Sequence, residues 1–457
     1  MTELVLIMAV GAGLLAAPVL LMHGRVSEEV AFVGLVSLGL SAAAIVLSAQ
    51  GGLEIRSGSA ATFQINGAQA LIAARILATA GGLLLASGMI WYALPLRRPS
   101  DADADSFLAR LRESSLEGVF GLSLVRVVAV ALLAFAVSIV LLIGGDALRR
   151  ETYLFLEPGS LAGLMGSVSF PTGIVAAILF VSSRDRLTRS ITGGSLVLLL
   201  LFELSKSSRS AAVLLVAIGV FYAALGRSRL LPRLLGGLAL AAGGVLVLMV
   251  VLQTRESHHG HGLLPYAQML LDGRLSFDAQ MRQTTASNLL ATVSTTYYSS
   301  LKTVPDRFLA VSLDPRSGTE AGWYYMVPEL FLSWQVPTNT YGQLASLPLS
   351  GTLIGWFAVA GLLSVPGIVR SHASVHTAFV LRLGSLTLTV LMTVMFMQYT
   401  LRGSIRWAWL AIVATVLVTA VDQLLQRQRT RLAPAVPQLP ERPSAPAMTG
   451  PTSGTRR

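Results

Sequence analysis

Apolar residues recur along this chain in runs of about 20, the length a helix needs to cross a hydrocarbon core about 30 Å thick, and polar residues collect in the gaps between the runs. The first run, LVLIMAVGAGLLAAPVLLM, follows Met1, Thr2 and Glu3 without a basic leader, so it predicts a first spanning helix and not a cleaved signal peptide. The same pattern predicts spans near 3–22, 31–50, 71–96, 124–145, 162–183, 195–205, 210–226, 235–252, 349–369, 378–398 and 407–425. Runs of this length read as helices and not barrel strands, because each segment must satisfy its own backbone polar groups in lipid. The expected fold class is an all-α polytopic membrane protein with about 11 transmembrane helices and one large external loop.

Composition agrees with the pattern. Of 457 residues, 53% are hydrophobic and 12% charged, and the mean hydropathy of +0.68 lies far outside the range of soluble domains. The absence of cysteine removes disulfides, iron–sulfur clusters and thiol chemistry, and denies a zinc site its commonest ligand. A net charge of +11 would suggest nucleic acid in a soluble chain. Here much of it sits in loops that orient the helices, and no nucleic-acid partner is expected.

Short cytoplasmic loops carry excess Lys and Arg. RDRLTRS (184–190), GRSRLLPR (226–233) and the tail beginning QRQRTR at 426 are therefore placed inside, with the N-terminus outside and the C-terminus inside. The loop at 146–161 is the exception, falling outside while carrying Arg149 and Arg150. Arg126 and Arg382, near cytoplasmic ends, are expected to snorkel. Phe107, Leu108, Leu111 and Leu116 share one face of an amphipathic helix expected on the inner membrane surface. Residues 426–457 read as a disordered basic cytoplasmic tail.

These assignments divide the chain into eight transmembrane helices over 1–252, an extracytoplasmic cap over 253–347, and three more helices over 348–425. The cap mixes charges of both signs with Trp323, Tyr324, Tyr325 and Trp334, which argue for an ordered element and suit sugars as well as an interfacial belt. Its histidines, in RESHHGHG (His258, His259, His261), lack the spacing of a structural zinc site, and no metal or other cofactor is expected.

One stretch stands out within the apolar pattern. LFELSKSSRSAAVLL (201–215) places Lys206 and Arg209 in the turn of a hairpin over 195–226. Two full crossings need about 40 residues at a rise of about 1.5 Å each, so this hairpin is short and its turn is expected to be recessed. A cation at membrane depth costs at least about 2.5 to 3.5 kcal/mol on insertion scales. Glu203, one turn before Lys206, is the structural partner available; a dianionic ligand is the functional alternative, with Arg209 as a planar fork, Lys206 as a point charge and Ser208 beside them. Arg75, Arg402 and Arg406 lie toward the same outer side, where snorkelling competes with ligand binding.

The pattern resembles the superfamily of bacterial O-antigen ligases and Wzy-type O-antigen or exopolysaccharide polymerases. The matching pieces are Ser208-Arg209-Ser210 in the hairpin, the loop from 253 to 347, and PTNTYGQLASLPLSGTLIGW leading into the next span. The resemblance implies a metal-independent glycosyltransferase of the GT-C class at the outer face of the bacterial cytoplasmic membrane. Its donor and acceptor would be undecaprenyl-diphosphate-linked oligosaccharides, and a chain-length regulator or export protein its partner. It further implies that Arg209 and Arg402 neutralise the leaving diphosphate, with Lys206, Ser208, Arg75, Arg406, Asn339 and Tyr341 contacting substrate. Where the ligases carry a histidine this chain has Asn339, Thr340 and Tyr341, which favours a polymerase and leaves the base to be sought among Glu256, His258 and Glu329. A transporter or flippase for lipid-linked saccharides, or a ligase, is the alternative; the large external cap and the absence of a detectable internal repeat weigh against transport.

Overall fold

The computed structural model describes residues 2–56, 62–93, 116–150, 160–206, 210–225, 230–256, 261–272, 288–293, 308–314, 339–398 and 401–432. Helices α1 (Thr2–Met22), α2 (Glu28–Ala49) and α3 (Gly67–Ala93) come first, with a β-hairpin of β1 (Gly52–Arg56) and β2 (Thr62–Asn66) between the last two. Then follow α4 (Leu116–Phe120), α5 (Leu122–Ile143), α6 (Leu161–Ser182), α7 (Arg186–Ser205), α8 (Ser210–Leu225) and α9 (Leu230–Glu256). Short helices α10 (Leu263–Leu271), α11 (Phe308–Leu313) and α12 (Thr340–Ala345) precede α13 (Leu349–His372), α14 (Val375–Gln398) and α15 (Leu401–Leu432).

Nine of these helices (α1, α2, α3, α5, α6, α7, α13, α14 and α15) are long and apolar enough to cross a membrane, among the described residues. Ser210–Leu225 and Leu235–Leu248 are shorter apolar helices. The protein is thus an all-α polytopic membrane protein in its main architecture. The β-hairpin, paired antiparallel with Leu53 opposite Ile65, was not read from the sequence.

Two helix boundaries differ from the sequence reading in an instructive way. The expected cytoplasmic loop at 184–190 is reduced to Ser183–Asp185, because α7 begins at Arg186 and not near 195. Asp185 is its N-cap and accepts from the Thr188 amide at 3.1 Å. The hydroxyls that made this stretch look like a loop turn back onto the helix: Thr192 donates to the Thr188 carbonyl and Ser195 to that of Ile191, each at 2.8 Å. Of the expected short hairpin only α8 is short. At the other boundary α15 runs to Leu432, so residues 426–432 are helical.

Among the described residues two large apolar cores organise the bundle, beside a small cluster of Ala17, Leu38 and Leu85. One joins α2, α3, α12, α13 and α15 through Val33, Leu77, Leu84, Trp356, Leu363 and Ile405. The other joins α5 to α8 through Leu132, Ile139, Ile174, Leu199, Leu214 and Phe221. Helix α14 belongs to both: Phe379, Leu383 and Leu386 pack in the second core, Met392 and Phe396 in the first. Helices α8 and α9 approach through glycines. A Cβ on Gly219 would stand 2.6 Å from the Gly237 carbonyl oxygen, and one on Gly244 would stand 2.8 Å from that of Ala212. Such backbone proximity is how helices pack in lipid, where apolar burial supplies no drive of its own.

Candidate functional site

The junction between α7 and α8 is built around one carboxylate. Glu203, in the last turn of α7, is fully buried. Its Oε1 accepts from the Lys206 ammonium at 3.2 Å and from the Ser169 hydroxyl of α6; its Oε2 accepts from the hydroxyl of Ser210, the first residue of α8. Lys206 caps α7, donates also to the Gly166 carbonyl at 3.2 Å, and lies 5.0 Å from the centre of the Phe202 ring. A cation at a helix C-terminus is favoured by the helix dipole as well as by the ion pair. Ser169 lies eight residues into α6, so the carboxylate sits about 12 Å along that helix at a rise of about 1.5 Å per residue.

Arg150 joins the same junction. It donates through Nη1 to the Asp146 carbonyl at 2.8 Å and through Nη2 to the Ser205 carbonyl at the end of α7. Its backbone pairs with His261, by amide-to-carbonyl bonds of 3.0 and 2.8 Å, and the Leu264 amide donates to Leu148 at 2.9 Å. The chain that leaves α9 is thereby fastened over the α7–α8 break. In the sequence Arg150 stands only as an exception to the loop-charge rule. Its conflict with that rule was the available signal that it has a specific partner.

The predicted residues fall into three groups. Arg209, Ser208, His258 and Glu329 lie outside the described residues. Glu256 is the last residue of α9 and Arg402 the second of α15. Arg75 on α3 and Arg406 on α15 are exposed, and among the described residues neither has a hydrogen bond or ion pair. Lys206 has the structural partner that the spacing offered, Glu203.

Asn339 and Tyr341 are buried and engaged within the protein. Asn339 caps α12, accepting from the Gly342 amide at 2.8 Å and donating to the Thr292 hydroxyl at 2.7 Å. The Tyr341 hydroxyl is 2.9 Å from that of Ser37, and burial pushes its phenol up to about 12, although the Ser37 hydrogen bond opposes the shift. Its ring packs against Trp356 and Phe396, with centroids 5.7 and 6.0 Å away. Helix α12, placed at the end of the cap by the sequence, is therefore an internal wedge. Its Gln343, missed by sequence reasoning, accepts the Leu401 amide at 2.7 Å and so fastens the wedge to the start of α15. In these positions Asn339 and Tyr341 hold structure and offer no polar atom to a ligand in the surrounding solvent.

Arg126, Arg370 and Arg382 are paired as well. Arg126 binds Asp185 through two bonds of 2.9 and 3.1 Å, joining α5 to the α7 cap. Those bonds from Arg126, with those from Thr188, hold the Asp185 carboxyl well below the usual range. Nearby, burial raises the Glu117 carboxyl, but bonds from the Ser183 hydroxyl and the amides of Arg184 and Asp185 more than offset it, and the net shift is downward. Arg382 is held by an acid too. Its Nε donates to Glu28 at 2.8 Å, while Arg370 lies 3.0 Å from Glu29 and 3.5 Å from Glu28. Ser385 donates to the same Glu29 oxygen at 2.6 Å. Two acids at the start of α2 are thus tied to the end of α13 and the start of α14.

Among the described residues no group of three His, Asp or Glu side chains is placed to hold a metal ion. Compared with family models, with curated proteins and with solved structures, the chain matches none.

Proposed function

We propose that the protein is a polysaccharide repeat-unit polymerase of the bacterial cytoplasmic membrane, with eleven crossings and a GT-C-like arrangement. It transfers an undecaprenyl-diphosphate-linked glycan to a sugar hydroxyl of a second lipid-linked unit on the outer face. The observation that carries this reading is the α7–α8 break, where Lys206 pairs with the recessed Glu203 carboxylate and Arg150 binds the Ser205 carbonyl at the end of α7, beneath the chain leading into the large loop. Arg209 falls within the same break, three residues beyond Lys206.

The chemistry asks for this kind of place. The acceptor hydroxyl attacks the anomeric carbon and gives up its proton to a base, sought among Glu256, His258 and Glu329, while the bond from that carbon to the diphosphate oxygen breaks and negative charge gathers on the leaving lipid diphosphate. Preorganised cations in a water-poor site stabilise that charge without reorganising during the reaction. In this reading Glu203 positions Lys206, and Arg209 provides the fork that a phosphate requires. Arg402, at the start of α15, is the second arginine proposed for the leaving group.

Deleting the chain in its host and following the lipid-linked saccharides tests the reading. Single repeats accumulating on the outer leaflet in place of polymer are the expected result, and Arg209→Ala in otherwise intact protein should reproduce them. Arg209→Lys should recover little. Repeats retained only on the inner leaflet would replace the polymerase with a flippase.

A further inference from the structure

Among the described residues, the large apolar side chains that stay exposed lie almost entirely on the nine spanning helices and the two shorter apolar ones, where lipid covers them. Five do not: Phe120, Leu148, Leu264, Leu270 and Leu271. Four of the five belong to one corner. Leu264, Leu270 and Leu271 are on α10, and the Leu264 amide donates at 2.9 Å to the carbonyl of Leu148, the first residue past the end of the α5 span at Ala147. Gly262, with φ +111°, permits this joint: a Cβ there would stand 2.6 Å from the Leu148 carbonyl oxygen.

Helix α10 is apolar on two opposite faces. Pro265, Tyr266 and Met269 are buried within the protein. Leu264, Ala267 and Leu271, at the i, i+3, i+7 spacing of a helix stripe, are exposed, Leu271 to 86%. The polar residues Gln268 and Asp272, four apart, share one flank. Nine residues reach only about 14 Å at a rise of about 1.5 Å each, so α10 cannot cross a membrane, and the joint to Leu148 fixes its start at the level where the α5 span ends.

We infer that α10 is an interfacial helix, lying in the plane of the membrane surface with Leu264, Ala267 and Leu271 in lipid and Gln268 and Asp272 toward water. The occupant of the outward face is lipid because that face continues a lipid-facing surface. Leu141 and Leu142 at the end of α5, and Leu161 and Leu164 at the start of α6, are exposed on spans that end at the same level. Sinking the leucines of α10 beside them removes apolar area from water. The helix thereby anchors the first part of the large loop to the bilayer next to the α7–α8 break. The inference is independent of the polymerase reading, since it rests on exposure and position and on no reacting group.

The chain contains no cysteine, so single-cysteine variants of the full protein, labelled with an environment-sensitive fluorophore and reconstituted in phosphatidylcholine vesicles, test it. Labels at Leu264→Cys and Leu271→Cys should be quenched about threefold more by lipids carrying a nitroxide near the headgroup than by aqueous iodide, as a face sunk about 5–10 Å into the headgroup and acyl boundary requires. Both should lie at one depth, shallower than a label at Val137→Cys on the exposed side of α5, which a nitroxide at the acyl chain end should quench most. An Asp272→Cys label should favour iodide. Ala267→Cys reads the same stripe should either leucine variant not fold. Iodide quenching at 264 and 271 as strong as at 272 would overturn the inference. So would protection from both quenchers, the result expected if a second copy or another protein covers the leucines, and so would different depths at 264 and 271.

Discussion

Two buried carboxylates, Glu203 and Glu29, sit at helix ends in the same bundle and are satisfied in opposite ways. Both oxygens of Glu203 are occupied, by two serine hydroxyls and one ammonium, and its cation Lys206 keeps a side chain 20% exposed. Glu29 is paired with a guanidinium only 9% exposed, and half of its carboxylate is bare. The first arrangement is complete in itself and holds a partly accessible cation at a helix break. The second locks three helices together around a carboxylate oxygen sealed from solvent. Occupied oxygens hold a cation in place at a break, whereas the sealed pair holds helices together.

The largest effect should come from breaking the sealed pair. Arg370→Leu strands Glu29 and weakens the hold on Glu28, and removing one partner of a buried ion pair costs about 3–5 kcal/mol. Thermal unfolding in detergent should show a large drop in Tm. The double variant Glu29→Gln with Arg370→Gln should recover most of it, because the stranded charge is then gone. A double variant as unstable as the single one would mean the cluster acts by shape and not by charge.

Next in size is the glycine contact beneath the other carboxylate. Gly244→Val places a branched side chain against the Ala212 carbonyl and Val216, two residues beyond the Ser210 that bonds Glu203. Overpacking of this kind costs about 1–3 kcal/mol. It should also shift Ser210 off Glu203, so, if the junction serves the proposed reaction, polymer formation should fall further in this variant than in Gly243→Val, whose added Cβ meets nothing within 4 Å.

Lys206→Met sharpens the contrast more gently. Glu203 keeps its two serine donors, so the stability loss should be about 1–2 kcal/mol, the scale of one hydrogen bond to a charged group. If the junction serves the proposed reaction, polymer formation should fall by far more than that loss of fold explains. Unchanged polymer in a folded Lys206→Met protein would confine Lys206 to capping α7.

How far this was visible in the sequence depends on the range of the interaction. Helices lie over every apolar run, because hydropathy is a property of a run and needs no partner. The Lys206–Glu203 pair was visible because it is three residues long. Arg370, 341 residues from Glu29, was not, and the acids of SEEVAF gave no sign of where their partners lay. The start of α7 was hidden for a different reason: RDRLTRS has the composition of a loop, and only the cap at Asp185 and the back-bonded hydroxyls make it helix. Asn339 and Tyr341 show the converse. A polar, aromatic motif beside a span suggested contact with substrate, and the fold turned it inward as a wedge.

The smallest expected effect concerns Asp185, and it separates the exposed ion pair from both buried ones. Its carboxyl is held below the usual range by Arg126 and Thr188. A carboxyl depressed in the folded state contributes stability that is present above its unfolded pKa of about 3.9 and is lost as pH falls through the lower folded value. Melting curves between neutral pH and strongly acidic pH should therefore show a downward limb on the acid side. Asp185→Asn should flatten that limb while lowering Tm slightly at neutral pH, because the bidentate bond from Arg126 is gone. Surface pairs are screened by salt, so high ionic strength should shrink the difference between the two proteins. The Arg370→Leu deficit, arising from a pair sealed away from solvent, should persist at the same salt. A salt response shared equally by both would erase the distinction between them.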